Sequence, residues 1–255
     1  MNDDLGHPLG ATSPARRIVS LVPSLTEAIA ATRPGALVGA TDWCTHPAEL
    51  DVTRVRGTKN PDRTAIANLS PDVVIANQEE NRELDIRRLR ESGIQVWVTV
   101  IETVDQAFTS MTRMFTEALG WEVPPWLTEA QAVWAEPSQP SGRRVAIPIW
   151  RDPWMVVGSR TFTGDLIDRL GVVNAFGESP DRYPHVELSE VDSGAVDLVL
   201  LPDEPYVFAA DDGPEAFTKA PTALVSGRSL TWYGPSMLTA RAELETMLRS
   251  HEPRG

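Results

Sequence analysis

The sequence lacks the features that mark several large classes of protein. Its single cysteine excludes a disulfide within the chain. No apolar run approaches the roughly 20 residues of a membrane helix, so we expect no membrane-spanning segment. Basic residues are scarce, with 23 Lys and Arg against 36 Asp and Glu. The resulting net charge of −13 argues against a nucleic-acid or anionic-membrane partner.

Short catalytic motifs are also absent. The sequence contains no Gly-x-Gly-x-x-Gly, Walker A, His-Glu-x-x-His, Cys-x-x-Cys or Gly-x-Ser-x-Gly pattern. These absences disfavour the common nucleotide-cofactor enzymes and hydrolases. Residues 1–13 include Asp3 and Asp4 and no apolar segment, unlike a secretory signal. We therefore expect a cytoplasmic location.

A pattern that occurs twice organises the chain. Two apolar runs, 72–76 and 197–201, are typical of buried parallel strands, and each is followed by an acidic turn. A similar run precedes each of them by the same interval, at 17–21 and 144–147. Between the strands lie helical patterns. We therefore predict an α/β fold with two similar Rossmann-like lobes, each built around a parallel sheet.

A change in composition separates the two halves. Residues 121–143 are rich in proline and contain one helical pattern, long enough for a connector but too short for a lobe. The predicted domains are a first lobe at 16–121, a connecting helix and linker at 122–143, and a second lobe at 144–255.

The densest group of reactive side chains lies in residues 42–46. At strand spacing, Cys44 and His46 point to the same face. Both residue types bind Zn²⁺ and iron, and His185 from the second half would complete such a metal site. Two alternatives remain open. One is a buried thiol beside a hydrogen-bonded histidine, and the other is an enzyme with Cys44 as nucleophile and His46 as base.

Aromatic side chains fall in the predicted turns and strand ends of both halves. Core packing alone would favour leucine and isoleucine over so many tryptophans, whereas aromatic walls suit a large planar ligand. We predict that several of them face a ligand, with core or interface packing as the alternative. The group consists of Trp43, Trp150, Trp154, Tyr183, Tyr206, Trp232 and Tyr233.

Charged side chains occupy the same turns. Ligands of open α/β sheets bind beyond the carboxyl ends of the strands, so this position favours a binding role. Solvated acidic turns are common, however, and Glu80 with Asn77 also fits a helix cap. The basic residues are candidates to receive a ligand carboxylate or phosphate, and for each of them an ordinary surface charge is the alternative. The candidates are Glu79, Glu80 and Glu204 among the acids, and Lys59, Arg151 and Arg182 among the bases.

Four ordered segments carry a family resemblance: 17–27 (RIVSLVPSLTE), 57–62 (GTKNPD), 69–76 (LSPDVVIA) and 232–235 (WYGP). They resemble the helical-backbone metal receptor family, which contains the cobalamin- and iron-chelate-binding proteins of ABC importers. The similarity extends over about residues 16–249. It implies two α/β lobes joined by a single helix, with the ligand held in a cleft between them. It also implies aromatic ligand contacts at Trp43, at Tyr183 and in the loop Trp150–Met155.

The chain departs from the family pattern in ways that affect its expected function. The two importer-docking carboxylates of the family align with Thr64 and Ser189, an export signal is not evident, and the connecting helix is short. The resemblance therefore implies a cytoplasmic binding protein for a corrinoid, haem-like or iron-chelate ligand, with cobalamin as one candidate and no ABC importer as partner. A metal-ion-binding protein and an enzyme, both based on Cys44, remain the alternatives.

Overall fold

The computed structural model describes residues 1–10 and 14–251. These residues form two compact units, and each unit contains its own parallel sheet. The predicted α/β class is therefore confirmed. The first unit comprises Met1–Ile101, Asp105–Glu129 and Tyr233–Pro235, and the second comprises Glu102–Val104, Ala130–Trp232 and Ser236–Gly255.

The first unit is built on five parallel strands. They are β1 (Ile18–Ser20), β2 (Leu37–Ala40), β3 (Thr53–Arg54), β4 (Val73–Asn77) and β5 (Val96–Thr99). Their order in the sheet is β3-β2-β1-β4-β5, and Ile18 lies opposite Val73 in the central pair. Every residue of β4 is buried, as a continuous apolar run predicts for a central parallel strand.

Five helices accompany this part of the chain: α1 (Pro23–Thr32), α2 (Arg63–Asn68), α3 (Glu83–Glu91), α4 (Val104–Arg113) and α5 (Pro125–Val133). A π-helical turn, Met114–Ala118, extends α4. Apolar residues of α2 and α3, including Ile66 and Leu89, pack with the strands in one buried cluster. The division between the two units falls inside α5, between Glu129 and Ala130.

The first residues of the chain cover part of β5. The amide of Asp4 donates to the carbonyl of Val98 at 3.2 Å. In the other direction, Asp3 Oδ2 accepts from the amide of Val98 at 3.3 Å, and Asp4 Oδ2 accepts from the amide of Val100 at 3.0 Å. The two carboxylates thus satisfy backbone donors that a further strand would otherwise pair with.

The part of the second unit that the structure describes contains six strands: β6 (Arg144–Ala146), β7 (Pro148–Trp150), β8 (Met155–Val156), β9 (Val173–Asn174), β10 (Leu198–Pro202) and β11 (Thr222–Val225). Four of them form a parallel sheet in the order β11-β10-β6-β9, and β7 pairs with β8 as an antiparallel ribbon. Its helices are α6 (Phe162–Arg169), α7 (Leu188–Val191), α8 (Gly227–Thr231) and α9 (Met237–Ser250). Among the described residues, no helix is both long enough and apolar enough to cross a membrane.

The predicted repeat is present where the central strand of each sheet begins. In the first sheet, the amide of Arg17 donates to Asp72 Oδ2 at 2.9 Å, and the amide of Asp72 donates to the carbonyl of Arg17 at 2.7 Å. In the second sheet, Arg144 and Asp197 make the same two bonds, at 2.7 and 2.8 Å. An aspartate therefore fixes β1 beside β4, and another fixes β6 beside β10.

Candidate functional site

The carboxyl edge of the first sheet gathers four of the predicted site residues. Trp43 follows β2, Lys59 follows β3, and Glu79 and Glu80 follow β4. Trp43 is 66% exposed, which is unusual for the largest apolar side chain. A Cβ atom added at Gly57 would lie 3.3 Å from Trp43 Nε1, so the indole nitrogen lies close to the backbone at Gly57. Trp43 is thus an exposed aromatic surface supported from one side.

Asn81, which directly follows Glu79 and Glu80 in the acidic turn, holds the turns of this edge together, a role that the sequence did not predict. Its Nδ2 donates to the carbonyls of Leu21 at 3.2 Å and Thr58 at 3.0 Å, and its Oδ1 accepts from the amide of Asn77 at 2.9 Å. The turns after β1, β3 and β4 therefore share one buried amide side chain. Such a role depends on distant backbone groups, so no local sequence pattern reveals it.

The acidic turn after β4 has a different structure from the predicted helix cap. Asn77 Oδ1 accepts from the amides of Glu79 at 2.8 Å and Glu80 at 3.3 Å, and this closes the turn. Because α3 begins only at Glu83, Glu80 does not cap it, and that prediction is corrected. Burial raises the pKa of Glu80, the neighbouring Glu79 raises it further, and Lys59 opposes both effects. Lys59 Nζ itself donates to the carbonyl of Glu79.

The second unit presents an aromatic pair at the end of β7. The rings of Trp150 and Tyr206 are 5.5 Å apart at an interplanar angle of 79°. Trp150 is 44% exposed, and the adjacent Val207 is 67% exposed. Tyr206 Oη donates to Asp212 Oδ2 at 2.7 Å, and this hydrogen bond raises the pKa of the phenol. The pair therefore offers an exposed apolar surface with one ring held in place.

Arg151 lies beside this pair within an acidic cluster. Its Nη1 donates to Asp212 Oδ1 and to Glu215 Oε1, the latter at 2.7 Å, and its Nε lies 3.5 Å from Asp152 Oδ2. The hydrogen bond to Glu215 raises the pKa of Arg151 and lowers that of Glu215. The guanidinium also lies 5.4 Å from the centre of the Trp154 ring. Arg151 therefore has several carboxylate partners within its own unit.

Two of the predicted ligand-facing tryptophans lie in the interior. Trp154 is only 8% exposed; its ring stacks on Phe208 at 6.0 Å and meets Phe217 edge-on at 5.4 Å. Trp232 is 6% exposed and lies 5.8 Å from the Arg228 guanidinium. Both side chains are buried, which favours core packing over a ligand-facing surface, and a role in ligand contact stays a prediction. Core packing was the stated alternative for the aromatic group.

The remaining candidates of the second unit lie in two turns. Arg182 Nη1 donates to Glu102 Oε1, and the carbonyl of Arg182 accepts from the amide of Gly158 at 2.8 Å. Tyr183 follows in the same turn and is half-buried. Glu204, also half-buried, follows β10, and its Oε1 lies 3.4 Å from Thr231 Oγ1. These residues keep a position consistent with ligand contact, and their role stays a prediction.

The thiol of Cys44 is enclosed by hydroxyl groups. It is fully buried, with Sγ 3.0 Å from Thr26 Oγ1 and 3.1 Å from Thr41 Oγ1. Burial raises its pKa, and these hydrogen bonds offset only part of that effect. A thiol held protonated is a poor nucleophile and a poor metal ligand. The interpretation of Cys44 as a buried structural thiol is therefore favoured over the enzyme hypothesis.

The metal-site hypothesis gains no support from the arrangement of its proposed ligands. His46 Nδ1 lies 3.1 Å from Thr45 Oγ1 and the ring is half-buried. His185 belongs to the other unit, where it is exposed and forms a backbone bridge with Met155. Within residues 1–10 and 14–251, no group of three or more His, Cys, Asp or Glu side chains is placed to hold a metal ion.

The two positions aligned with docking carboxylates are both exposed. Thr64 lies in the first turn of α2, where Asp62 Oδ1 accepts from its amide at 3.1 Å. Ser189 lies in α7, beside a capping box formed by Glu187 and Glu190. Carboxylates therefore occur close to both positions, although not at them. This proximity weakens the sequence-based argument against a transporter partner.

Comparisons with known proteins identify relatives of one functional kind. No protein-family model matches the sequence. The vitamin B12-binding protein of Vibrio cholerae serotype O1 is 24% identical over 185 residues, which cover 70% of this chain and 67% of that protein. The vitamin B12-binding protein of Pectobacterium carotovorum is 22% identical over an alignment of 257 positions that covers 93% of this chain and 90% of that protein.

Solved structures agree over nearly the whole chain. The periplasmic vitamin B12-binding protein BtuF of Vibrio cholerae superposes with a TM-score of 0.75 at 21% identity, covering 94% of this chain and 99% of that one. The periplasmic haem-binding protein RhuT of Roseiflexus sp. RS-1 superposes with a TM-score of 0.76 at 20% identity, covering 93% and 99%. The chain has the fold of these binding proteins. The predicted α/β fold with two lobes, each containing a parallel sheet, is thereby confirmed.

Proposed function

We propose that this chain is a ligand-binding protein of the periplasmic-binding type whose ligand is vitamin B12 or haem. The observation that carries the proposal is the exposure of Trp43, which follows β2 in the first unit, and of Trp150, the last residue of β7 in the second unit. Exposed tryptophans supported by protein on one side suit a large planar ligand, whose faces are apolar. The names and folds of the relatives favour the same two ligands.

The physical basis of binding is stacking and apolar burial. A tetrapyrrole that covers an exposed indole removes apolar area of both partners from water, at roughly 25 cal/mol per Å². Asp212 fixes Tyr206, and the Tyr206 ring in turn contacts Trp150 edge-on. This contact restricts the Trp150 side chain before the ligand arrives, so that less side-chain entropy is lost on binding. A surface arranged before binding gives affinity with little reorganisation.

Titration of the purified protein with candidate ligands tests this proposal. Cyanocobalamin, haemin and a ferric hydroxamate chelate are each added while their visible absorbance bands and the thermal unfolding midpoint are followed. We expect a saturable spectral change and a raised midpoint with cyanocobalamin or haemin, since a ligand that binds only the native state stabilises it. If only the ferric chelate binds, the proposal is wrong about the ligand and the iron-chelate prediction is supported.

The compartment and the partner remain predictions from the sequence. The solved relatives are named periplasmic proteins, whereas the sequence-based expectation for this chain is the cytoplasm. Fractionation of the native host, with antibodies against the chain, tests the location. Co-purification from detergent-solubilised membranes tests the expectation that no ABC importer binds the exposed surfaces around Thr64 and Ser189.

A further inference from the structure

The charges around the exposed aromatic surfaces restrict which planar ligand they favour. Haem carries two ionised propionates, whereas the corrin ring of cobalamin carries neutral amide side chains. A site that receives propionates needs cationic side chains available to pair with them. A site for amides needs hydrogen-bond acceptors. Whether the cations near Trp43 and Trp150 are already paired therefore indicates whether the site favours a ligand with carboxylates or a ligand with amides.

The three cations predicted to receive a ligand carboxylate already have partners within their own units. Lys59 Nζ donates to the carbonyl of Glu79, and its charge acts on Glu80. Arg182 Nη1 donates to Glu102 Oε1. Each of these two cations therefore already makes one hydrogen bond within the protein.

Arg151, the cation beside Trp150, has three carboxylate partners. Its side chain is only 19% exposed, and Asp152, Asp212 and Glu215 all lie within ion-pair distance of it. Three carboxylates around one guanidinium leave a local net charge of about −2 when all are ionised. An additional carboxylate from a ligand would be repelled, while the N–H groups of a ligand amide would find acceptors.

We propose that this chain selects an amide-bearing corrinoid over carboxylate-bearing tetrapyrroles, because the acidic cluster of Asp152, Asp212 and Glu215 around Arg151 repels ligand carboxylates. The inference rests on the proposed function, since it names the ligand class of that same site. Glu215 is the residue that sets this preference most directly. It is half-exposed and accepts from Arg151 Nη1 at 2.7 Å.

Two corrinoids that share one ring test the selection. Cobinamide carries peripheral amides, whereas cobyrinic acid carries carboxylates at those positions, and haemin is added as a second carboxylate ligand. At low ionic strength we expect cobinamide and cyanocobalamin to bind at least about tenfold more tightly than cobyrinic acid or haemin. Cobyrinic acid or haemin binding as tightly as cobinamide overturns the inference and leaves the proposed function standing. Failure of all four ligands to bind overturns both.

Substitution and salt separate charge repulsion from shape. In Glu215→Gln the ratio of cobinamide to cobyrinic acid affinity should fall about threefold or more, while Glu129→Gln, an exposed acid of α5, should leave the ratio unchanged. Raising the salt from about 0.02 to 0.5 M should shrink the ratio in the unaltered protein, because screening weakens repulsion between exposed charges. This second measurement remains decisive if the variant does not fold. If the ratio of cobinamide to cobyrinic acid affinity does not change with the salt concentration, the inference is contradicted.

Discussion

Trp150 stands edge-on to Tyr206, with 5.5 Å between the ring centres. Tyr206 is fixed in turn by its hydrogen bond to Asp212, which also accepts from Arg151. The exposed Trp150 ring, the fixed Tyr206 ring and the ion-paired Arg151 guanidinium are therefore connected at the end of β7. This connection is why the proposed function assigns Trp150 to the ligand and why Asp212 is expected to support it indirectly.

Loss of the exposed indole should weaken ligand binding without unfolding the protein. For Trp150→Ala we expect the dissociation constant for cyanocobalamin or haemin to rise roughly tenfold, about 1.4 kcal/mol, because a stacking surface is removed. Calorimetric titration measures it. The matched control is Trp126→Phe, a half-buried indole in the first unit that donates to Thr32 Oγ1 at 3.1 Å. Equal losses in both variants would point to general destabilisation.

Replacing the buried Trp154 should lower the free energy of unfolding much more than replacing the exposed Trp150. Trp154→Ala removes a ring packed on Phe208 and Phe217 and should lower the free energy of unfolding by about 3–5 kcal/mol. Trp150→Ala should cost less than about 1 kcal/mol, since its side chain is largely in water. Urea denaturation measures both. Similar costs would mean that Trp150 is packed more tightly than its exposure indicates.

Asp192 should make the second unit sensitive to acid. Burial acts to raise the pKa of this carboxyl, but hydrogen bonds from the amides of Ala220, Thr218 and Lys219 and from the Thr218 hydroxyl lower it well below the usual value. Because the pKa of Asp192 is lower in the folded than in the unfolded protein, the carboxylate stabilises the fold at pH values above its unfolded-state pKa of about 4. This contribution declines as the pH falls from there towards the folded-state pKa.

Asp192→Asn tests that assignment. The substitution keeps the shape but removes the charge, and should lower the free energy of unfolding by about 1–3 kcal/mol at neutral pH. The difference in the free energy of unfolding between Asp192→Asn and the unaltered protein should become smaller as the pH falls from about 4 to 3. Denaturant unfolding at a series of pH values measures it. A difference that stays constant over that range would show that the carboxylate charge contributes nothing.

The thiol of Cys44 should be unreactive in the native protein. Because burial raises its pKa and encloses it, iodoacetamide at pH 8 should alkylate Cys44 at least about a hundredfold more slowly in the folded than in the urea-unfolded protein. Mass spectrometry of timed samples gives both rates. Rapid native alkylation would revive the hypothesis of a nucleophilic cysteine.

The central strands and their anchoring aspartates were within reach of sequence reasoning. Continuous β-branched runs predict strands buried on both faces, and β4 and β10 are buried throughout. The repeat was also visible, because Arg17 with Asp72 and Arg144 with Asp197 recur at similar spacing. Local patterns of this kind depend on the residues themselves and on near neighbours.

Side-chain environment beyond the strands could not be predicted in the same way. Trp150 and Trp154 lie four positions apart in one turn, yet one is exposed and the other is enclosed by Phe208 and Phe217. The sequence offers Arg151 either as a group that receives a ligand anion or as a surface charge, whereas in the structure its partner Glu215 comes from a distant turn after β10. Tertiary packing determines which side chains contact Trp154 and Arg151, and the local sequence does not predict these contacts.

Isothermal titration calorimetry of the full chain with cyanocobalamin and with haemin measures whether this chain binds a B12- or haem-type ligand. We predict saturable heat with at least one of them, abolished or weakened by Trp150→Ala. We also predict a higher unfolding midpoint, since ligand at about 100 times its dissociation constant adds about 2.7 kcal/mol of stability. No heat and no change in midpoint with either ligand would contradict the proposed function.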